Sequence, residues 1–250
     1  MKIRSILAAA AIAACVVPAM AQQSEDATAV LNESAKAMKE VPHVAFDAKK
    51  FGTGMLKDFI DCDGKVKLWH AAGAKTPTVM VTGRIKQPGA GDKQLTYKSD
   101  GNMAVWLDQK DNKQMERSVN DSANIQEYGL AKQLVPEDYF STEPFSQVKK
   151  MDKLTKLPTD NVNGEACDII QGQTADGSRT ITWAISTKDR LPRRMEMSTG
   201  TGKDSLSMIL EMKNFDMSKP FTAKDFEIVT PTGYIVDKGS TPTINPAMPG

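Results

Sequence analysis

Leu95-Thr-Tyr97-Lys-Ser-Asp100-Gly101-Asn-Met103-Ala-Val105-Trp106-Leu107 is the stretch that decides the architecture. Leu95 and Tyr97 alternate with polar neighbours, Asp100-Gly101 supplies turn chemistry, and Met103, Val105 and Leu107 resume the alternation. That spacing predicts a β-hairpin. The same grammar returns at Cys167 to Gln171, Asp176-Gly177 and Thr180 to Ile185, with Ile181, Trp183 and Ile185 on one face. A third hairpin is predicted to join Arg194 to Met197 with Leu206 to Met212 through the Gly-rich Thr199 to Lys203.

Helical spacing is confined to two places. Ala27, Val30, Leu31, Ala35 and Met38 mark one amphipathic helix from Ser24 to about Val41, which Pro42 stops. A second is expected between Asn120 and Leu134, ended by Pro136. Several hairpins with few helices indicate a mainly β, α+β chain: an incomplete, strongly curved antiparallel β-barrel with helices on its mouth or concave side.

The two ends read differently from the middle. Lys2 and Arg4 precede the apolar run Ser5 to Val17 and the site Ala19-Met20-Ala21, the pattern of an export signal cut after Ala21. The run is too short for a membrane span. The alternative is lipidation at Cys15, which follows Ile12-Ala-Ala14. Periplasmic location follows from the first reading and a membrane-anchored lipoprotein from the second. Residues 22–237 are then expected to form a single β domain, and the Pro- and Gly-rich 238–250 a disordered tail.

The chain carries 32 basic and 31 acidic side chains, so loss of the leader brings it near neutrality. Such balance gives no footprint for nucleic acid and no polybasic block for anionic membranes; any lipid is expected to be held by apolar contact. Two cysteines lie beyond the leader, Cys62 and Cys167. In an oxidising compartment a disulfide is the simple expectation, closing a loop of roughly 100 residues for on the order of 4 to 5 kcal/mol; two buried thiols are the alternative.

Searching for chemistry returns little. His43 and His70 are the only histidines, and neither has metal-ligand spacing to a partner, so no metal is expected. Gly200-Thr-Gly202-Lys203 lacks the glycine five residues before Gly202, where Met197 stands, and Asp204 replaces the hydroxyl residue of a phosphate loop. Neither a nucleophile elbow nor a zinc-protease motif is present, and neither catalysis nor a cofactor is expected. What remains is apolar: Trp69, Met103, Val105, Trp106, Trp183, Met195, Met197 and Met208 are the candidate lining of a ligand cavity, methionine being suited to a flexible chain.

The segments Val162-Asn-Gly-Glu-Ala-Cys167-Asp-Ile-Ile170, Thr182-Trp-Ala-Ile185 and Leu191-Pro-Arg-Arg194 resemble a family of uncharacterised periplasmic proteins related to the outer-membrane lipoprotein carrier LolA. Leu95-Thr-Tyr97 with Asp100-Gly101 and Asp111-Asn-Lys113 is similar to its Tyr-Asp-Gly hairpin. Phe215-Asp216, Asp225-Phe226 and Pro231-Thr-Gly-Tyr234 resemble its closing strands. The resemblance implies an open barrel, a helical lid and an apolar cavity for acyl chains. It also implies an arginine on an early strand that fastens the lid; Arg84 lies in that region, although its flanks depart from the carrier pattern. Two functions follow as expectations: a periplasmic carrier or binding protein for a lipid, lipoprotein or other amphiphile, or an envelope interaction or stress-sensor module that binds a partner protein.

Overall fold

The computed structural model describes residues 7–74, 76–87, 91–120, 129, 131–200 and 205–239, with backbone alone for 7–22 and 87. A helix, α1 (Leu7–Glu40), precedes strands β1 (His43–Gly52), β2 (Asp61–Trp69), β3 (Thr78–Gln87), β4 (Gly91–Ser99), β5 (Met103–Asp108) and β6 (Lys113–Ser118). A short helix α2 (Ser146–Lys149) leads to β7 (Lys153–Val162), β8 (Glu165–Gln173), β9 (Arg179–Ser186), β10 (Pro192–Thr199), β11 (Leu206–Asp216) and β12 (Ile235–Asp237).

Among the described residues the twelve strands hydrogen-bond in the order β12-β6-β5-β4-β3-β2-β1-β11-β10-β9-β8-β7. The two end strands do not pair with each other, so the sheet stays open, and β12 joins β6 in parallel. Consecutive strands make antiparallel hairpins: β4 with β5, β8 with β9 and β10 with β11, the three predicted from alternation. The β4–β5 turn is held by Asp100, whose Oδ1 accepts from the Asn102 and Met103 amides at 2.9 and 2.8 Å, while Gly101 takes φ +90°.

Helix α1 ends where Pro42 requires, its last turn closed by Val41 N donating to Ala37 O at 2.9 Å. It begins earlier than the amphipathic spacing indicates, because the Ala-rich segment before Ser24 is itself a strong helix former. Residues 1–6 of the expected export signal, the centre of the expected 120–134 helix and 240–250 of the expected tail lie outside the described residues. No described helix is long and apolar enough to cross a membrane.

Packing divides the chain into two compact units. The first takes Met1–Val41, Ala48–Asp61 and Glu137–Asn214. In it α1 packs against β7 and β8, burying Ala27, Val30, Leu31, Ser34 and Met38. Ser34 occupies the buried position that the spacing gave to Ala35, which is only half-buried.

The second unit takes Pro42–Asp47, Cys62–Pro136 and Phe215–Gly250. Its core is a cross-strand row, Val66, Val81, Tyr97 and Trp106, each opposite the next on β2 to β5 and all buried. Gly64 and Gly83 face each other beneath that row: a Cβ on Gly64 would stand 2.5 Å from Thr82 O and 2.8 Å from Gly83 Cα, so both positions require the missing side chain.

The expected disulfide is absent: Cys62 and Cys167 are both buried thiols, not bonded to each other. Each is enclosed in a different unit. Cys167 packs with Val162 and Ala184 in the first, and Cys62 stands opposite Ile85 in the second.

Candidate functional site

Four of the eight predicted cavity residues converge. On β9, β10 and β11 the register places Ile181 opposite Met197 and Met197 opposite Met208, then Trp183 opposite Met195 and Met195 opposite Leu210. Cross-strand partners project to the same side of a sheet, so these two rows form one apolar face. Ile170 and Gly172 of β8 extend the same rows, opposite Trp183 and Ile181. The intervening rows, Thr182 with Glu196 and Thr180 with Ser198 and Ser207, turn hydroxyls and a carboxylate to the other side.

Burial along the face is graded. Ile170, Ile181, Trp183 and Leu210 are buried, whereas Met195, Met197 and Met208 remain half-buried. Phe145 meets the Trp183 ring edge-on at 5.0 Å between centroids. Behind it α2 sits so close to β8 that a Cβ on Gly172 would lie 2.6 Å from Val148 Cγ2 and 2.8 Å from Met151 Sδ. That glycine is what admits the helix.

Beyond Ile181 the face runs into a cavity of about 380 Å³ lined by Gln147, Lys150, Met151, Asp152, Thr174, Arg179 and Ile181. Apart from Met151 and Ile181 the wall is polar, and its volume falls in the lower range of small-molecule sites. The β8–β9 turn that carries Arg179 is tightly organised. Asp176 Oδ1 accepts from Thr174 Oγ1, Ser178 N and Ser178 Oγ at 2.7, 3.0 and 2.8 Å. These bonds, the Ser178 amide foremost, hold the Asp176 carboxyl down at about 2.

Polar contacts fasten α1 over the same unit. Arg190 bridges Glu33 of α1 and Asp168 of β8, and Lys156 Nζ reaches Asp168 Oδ1 at 3.1 Å. Lys149 Nζ donates to Asn32 Oδ1 at 2.9 Å, and Lys39 Nζ to Thr142 O at 3.1 Å. Burial alone would raise the Asp168 carboxyl, but bonds and charge from Arg190 and Lys156 outweigh it and hold it below the usual range.

The other four candidates belong to the second unit and do not share one face. Val105 lies opposite Lys98, and through it in line with Met80 and Lys67, on the side of the sheet that also carries Trp69 and Met103. Trp106 points the other way, into the core. Met103 is 44% exposed, and Trp69 is stacked on Phe226 at 5.8 Å, in a cluster completed by Phe221 and His43. Arg84 donates to Asp63 and Asp92 on the flanking strands β2 and β4. Arg190, which sequence reasoning left out, touches α1 through Glu33.

Among the described residues no three of the His, Cys, Asp and Glu side chains gather as a metal would need.

The model of the family described as "Predicted periplasmic protein (DUF2092)" matches residues 75–236. The chain belongs to this family. No curated protein matches it. Among solved structures this DUF2092 chain is similar to an uncharacterised conserved protein from Thermus thermophilus, at 11% identity and TM-score 0.49, covering 86% of this chain and 99% of that one. It is similar to the lipoprotein LppX of Mycobacterium tuberculosis at 13% identity and TM-score 0.47, covering 79% and 98%. It is also similar to a LolA superfamily protein from Nitrosomonas europaea, at 10% identity and TM-score 0.35, covering 81% and 97%.

Proposed function

We propose that the protein is a periplasmic carrier or binding protein for an amphiphile, a lipid or the acyl chains of a lipoprotein, held on the apolar face of β8 to β11. The observation that carries this reading is the group of half-buried methionines on two adjacent rows, Met197 with Met208 and Met195 beside them, flanked by buried Ile181, Trp183 and Leu210. An ordinary core would bury such side chains fully, whereas a face that receives a flexible chain leaves adaptable ones in reserve. The family description supports the compartment, and the leader supports export with cleavage after Ala21. Binding without catalysis suits a face whose chemistry is apolar contact.

Native mass spectrometry of the full-length gene product, purified gently from its own envelope, tests this. The expected spectrum shows the processed chain with a releasable lipid mass, which Met197→Asp abolishes. A bare chain that takes up no lipid of any class contradicts it.

A second reading, a module that binds an envelope partner protein, has its own observation. Met55 and Phe59 are 75% and 59% exposed on the loop that follows β1, yet the loop is firmly bonded. Gly52 N donates to Ile60 O at 3.0 Å, Thr53 N to Ser207 O at 2.8 Å and Phe59 N to Leu56 O at 3.0 Å. Pull-down from envelope extract separates the two: a partner lost on Met55→Ser/Phe59→Ser, with lipid binding absent, favours the module.

A further inference from the structure

The cavity beyond Ile181 differs in kind from the face that leads into it. Lys150 and Arg179 put two cationic side chains on its wall against one carboxylate, Asp152. That carboxylate is partly engaged, since Asp152 Oδ2 accepts from the Ala175 amide at 2.9 Å. Gln147 adds an amide whose Oε1 lies 3.5 Å from Arg179 Nη2, and Thr174 a hydroxyl. Arg179 is set at the start of β9 by a turn closed on both sides: Thr174 N donates to Arg179 O and Arg179 N to Thr174 Oγ1, each at 3.0 Å. Near-neutral overall charge therefore conceals a local cationic excess beside an apolar track.

We infer that this cavity seats the anionic head group, a carboxylate or phosphate monoester, of the amphiphile whose chain lies along Ile181, Met197 and Met208. The inference rests on the binding reading above and names its ligand class. Lys150 and Arg179 donate charge-assisted hydrogen bonds to the anion, and Gln147 contributes its amide NH2. Ile181, common to cavity and face, marks where head group meets chain. A neutral lipid would leave the two cations without this partner, so the site discriminates by head-group charge.

Isothermal titration of the full chain with dodecanoate, dodecyl phosphate, dodecanol and inorganic phosphate tests the inference, alongside Lys150→Gln/Arg179→Gln. Both side chains are exposed, so the double variant keeps its fold, which circular dichroism verifies. The expected result is binding of the two anionic amphiphiles about tenfold or more tighter than dodecanol, a preference that shrinks with added salt and vanishes in the double variant while dodecanol affinity holds. Equal affinity for all three amphiphiles, unchanged in the variant, overturns the head-group site and leaves the binding reading standing. Inorganic phosphate bound as tightly as dodecyl phosphate overturns it in favour of a free-anion site. Failure of every amphiphile to bind brings down both readings.

Discussion

Arg190 and Asp168 link the N-terminal helix to the sheet of the first unit: Nη1 donates to Asp168 Oδ2 at 2.7 Å while Nε reaches Glu33 Oε2 at 3.0 Å. Asp168 is nearly buried, its side chain 7% exposed, and Arg190 adopts φ +62°, a left-handed conformation that a side chain disfavours.

Arg190→Ala removes the bridge and leaves the strained conformation, so it destabilises by about 1–2 kcal/mol after discounting for the solvent-exposed Glu33 and Arg190 ends. Arg190→Gly loses the same bridge but relieves the backbone, recovering about 1 kcal/mol relative to alanine. Urea denaturation of the two variants, with hydrogen exchange along α1, reads both effects.

Asp168 also sets an acid limit. Its folded pKa lies below the unfolded value of about 3.9, so its stabilisation is complete above that value and is lost as pH falls through the folded pKa. The stability difference between wild type and Asp168→Asn is therefore constant well above the unfolded value and narrows as pH falls below it through the lowered folded pKa. Urea midpoints across that range check the sign.

Much of this was legible in the chain, for reasons that differ by element. Period-two alternation around Asp100-Gly101 and Asp176-Gly177 located hairpins because turn chemistry and strand periodicity agree there. Alternation does not choose the buried face when apolar residues are consecutive. In Met103-Ala-Val-Trp106-Leu, Ala104 and Trp106 go inward because Trp106 falls opposite Tyr97. Trp183, Met195, Met197 and Met208 share a face because hairpin registers align those positions, an alignment that composition alone does not supply. Arg190 was invisible, since its partner Glu33 is more than 150 residues away in the chain. The cysteines misled because redox compartment says nothing about geometry.

Burial pushes the Cys167 thiol up to about 11, with Glu165 adding to the effect and Arg193 opposing it. Native protein at pH 8 should leave Cys167 unmodified by iodoacetamide over hours, and its melting temperature should not respond to reductant. A Cys62–Cys167 peptide in a non-reducing digest of native material would contradict both.

Gly172→Ala tests how closely α2 is seated. The new methyl meets Val148 and Met151 inside contact distance, which costs about 1–3 kcal/mol and displaces the helix from β8. The displacement should be read as faster hydrogen exchange at residues 145–151, with little change in the second unit.

Trp183 is buried within the apolar face, against Phe145 and opposite half-buried Met195, so its fluorescence reports on a chain that settles nearby. With Trp69→Phe and Trp106→Phe it becomes the only tryptophan, and titration with a bromine-labelled fatty acid measures how near the chain comes to the ring. Saturable quenching at one ligand per protein, abolished by Met197→Asp, is the result the account predicts. Unquenched Trp183 in a protein that nevertheless binds the fatty acid would place the ligand elsewhere and contradict it.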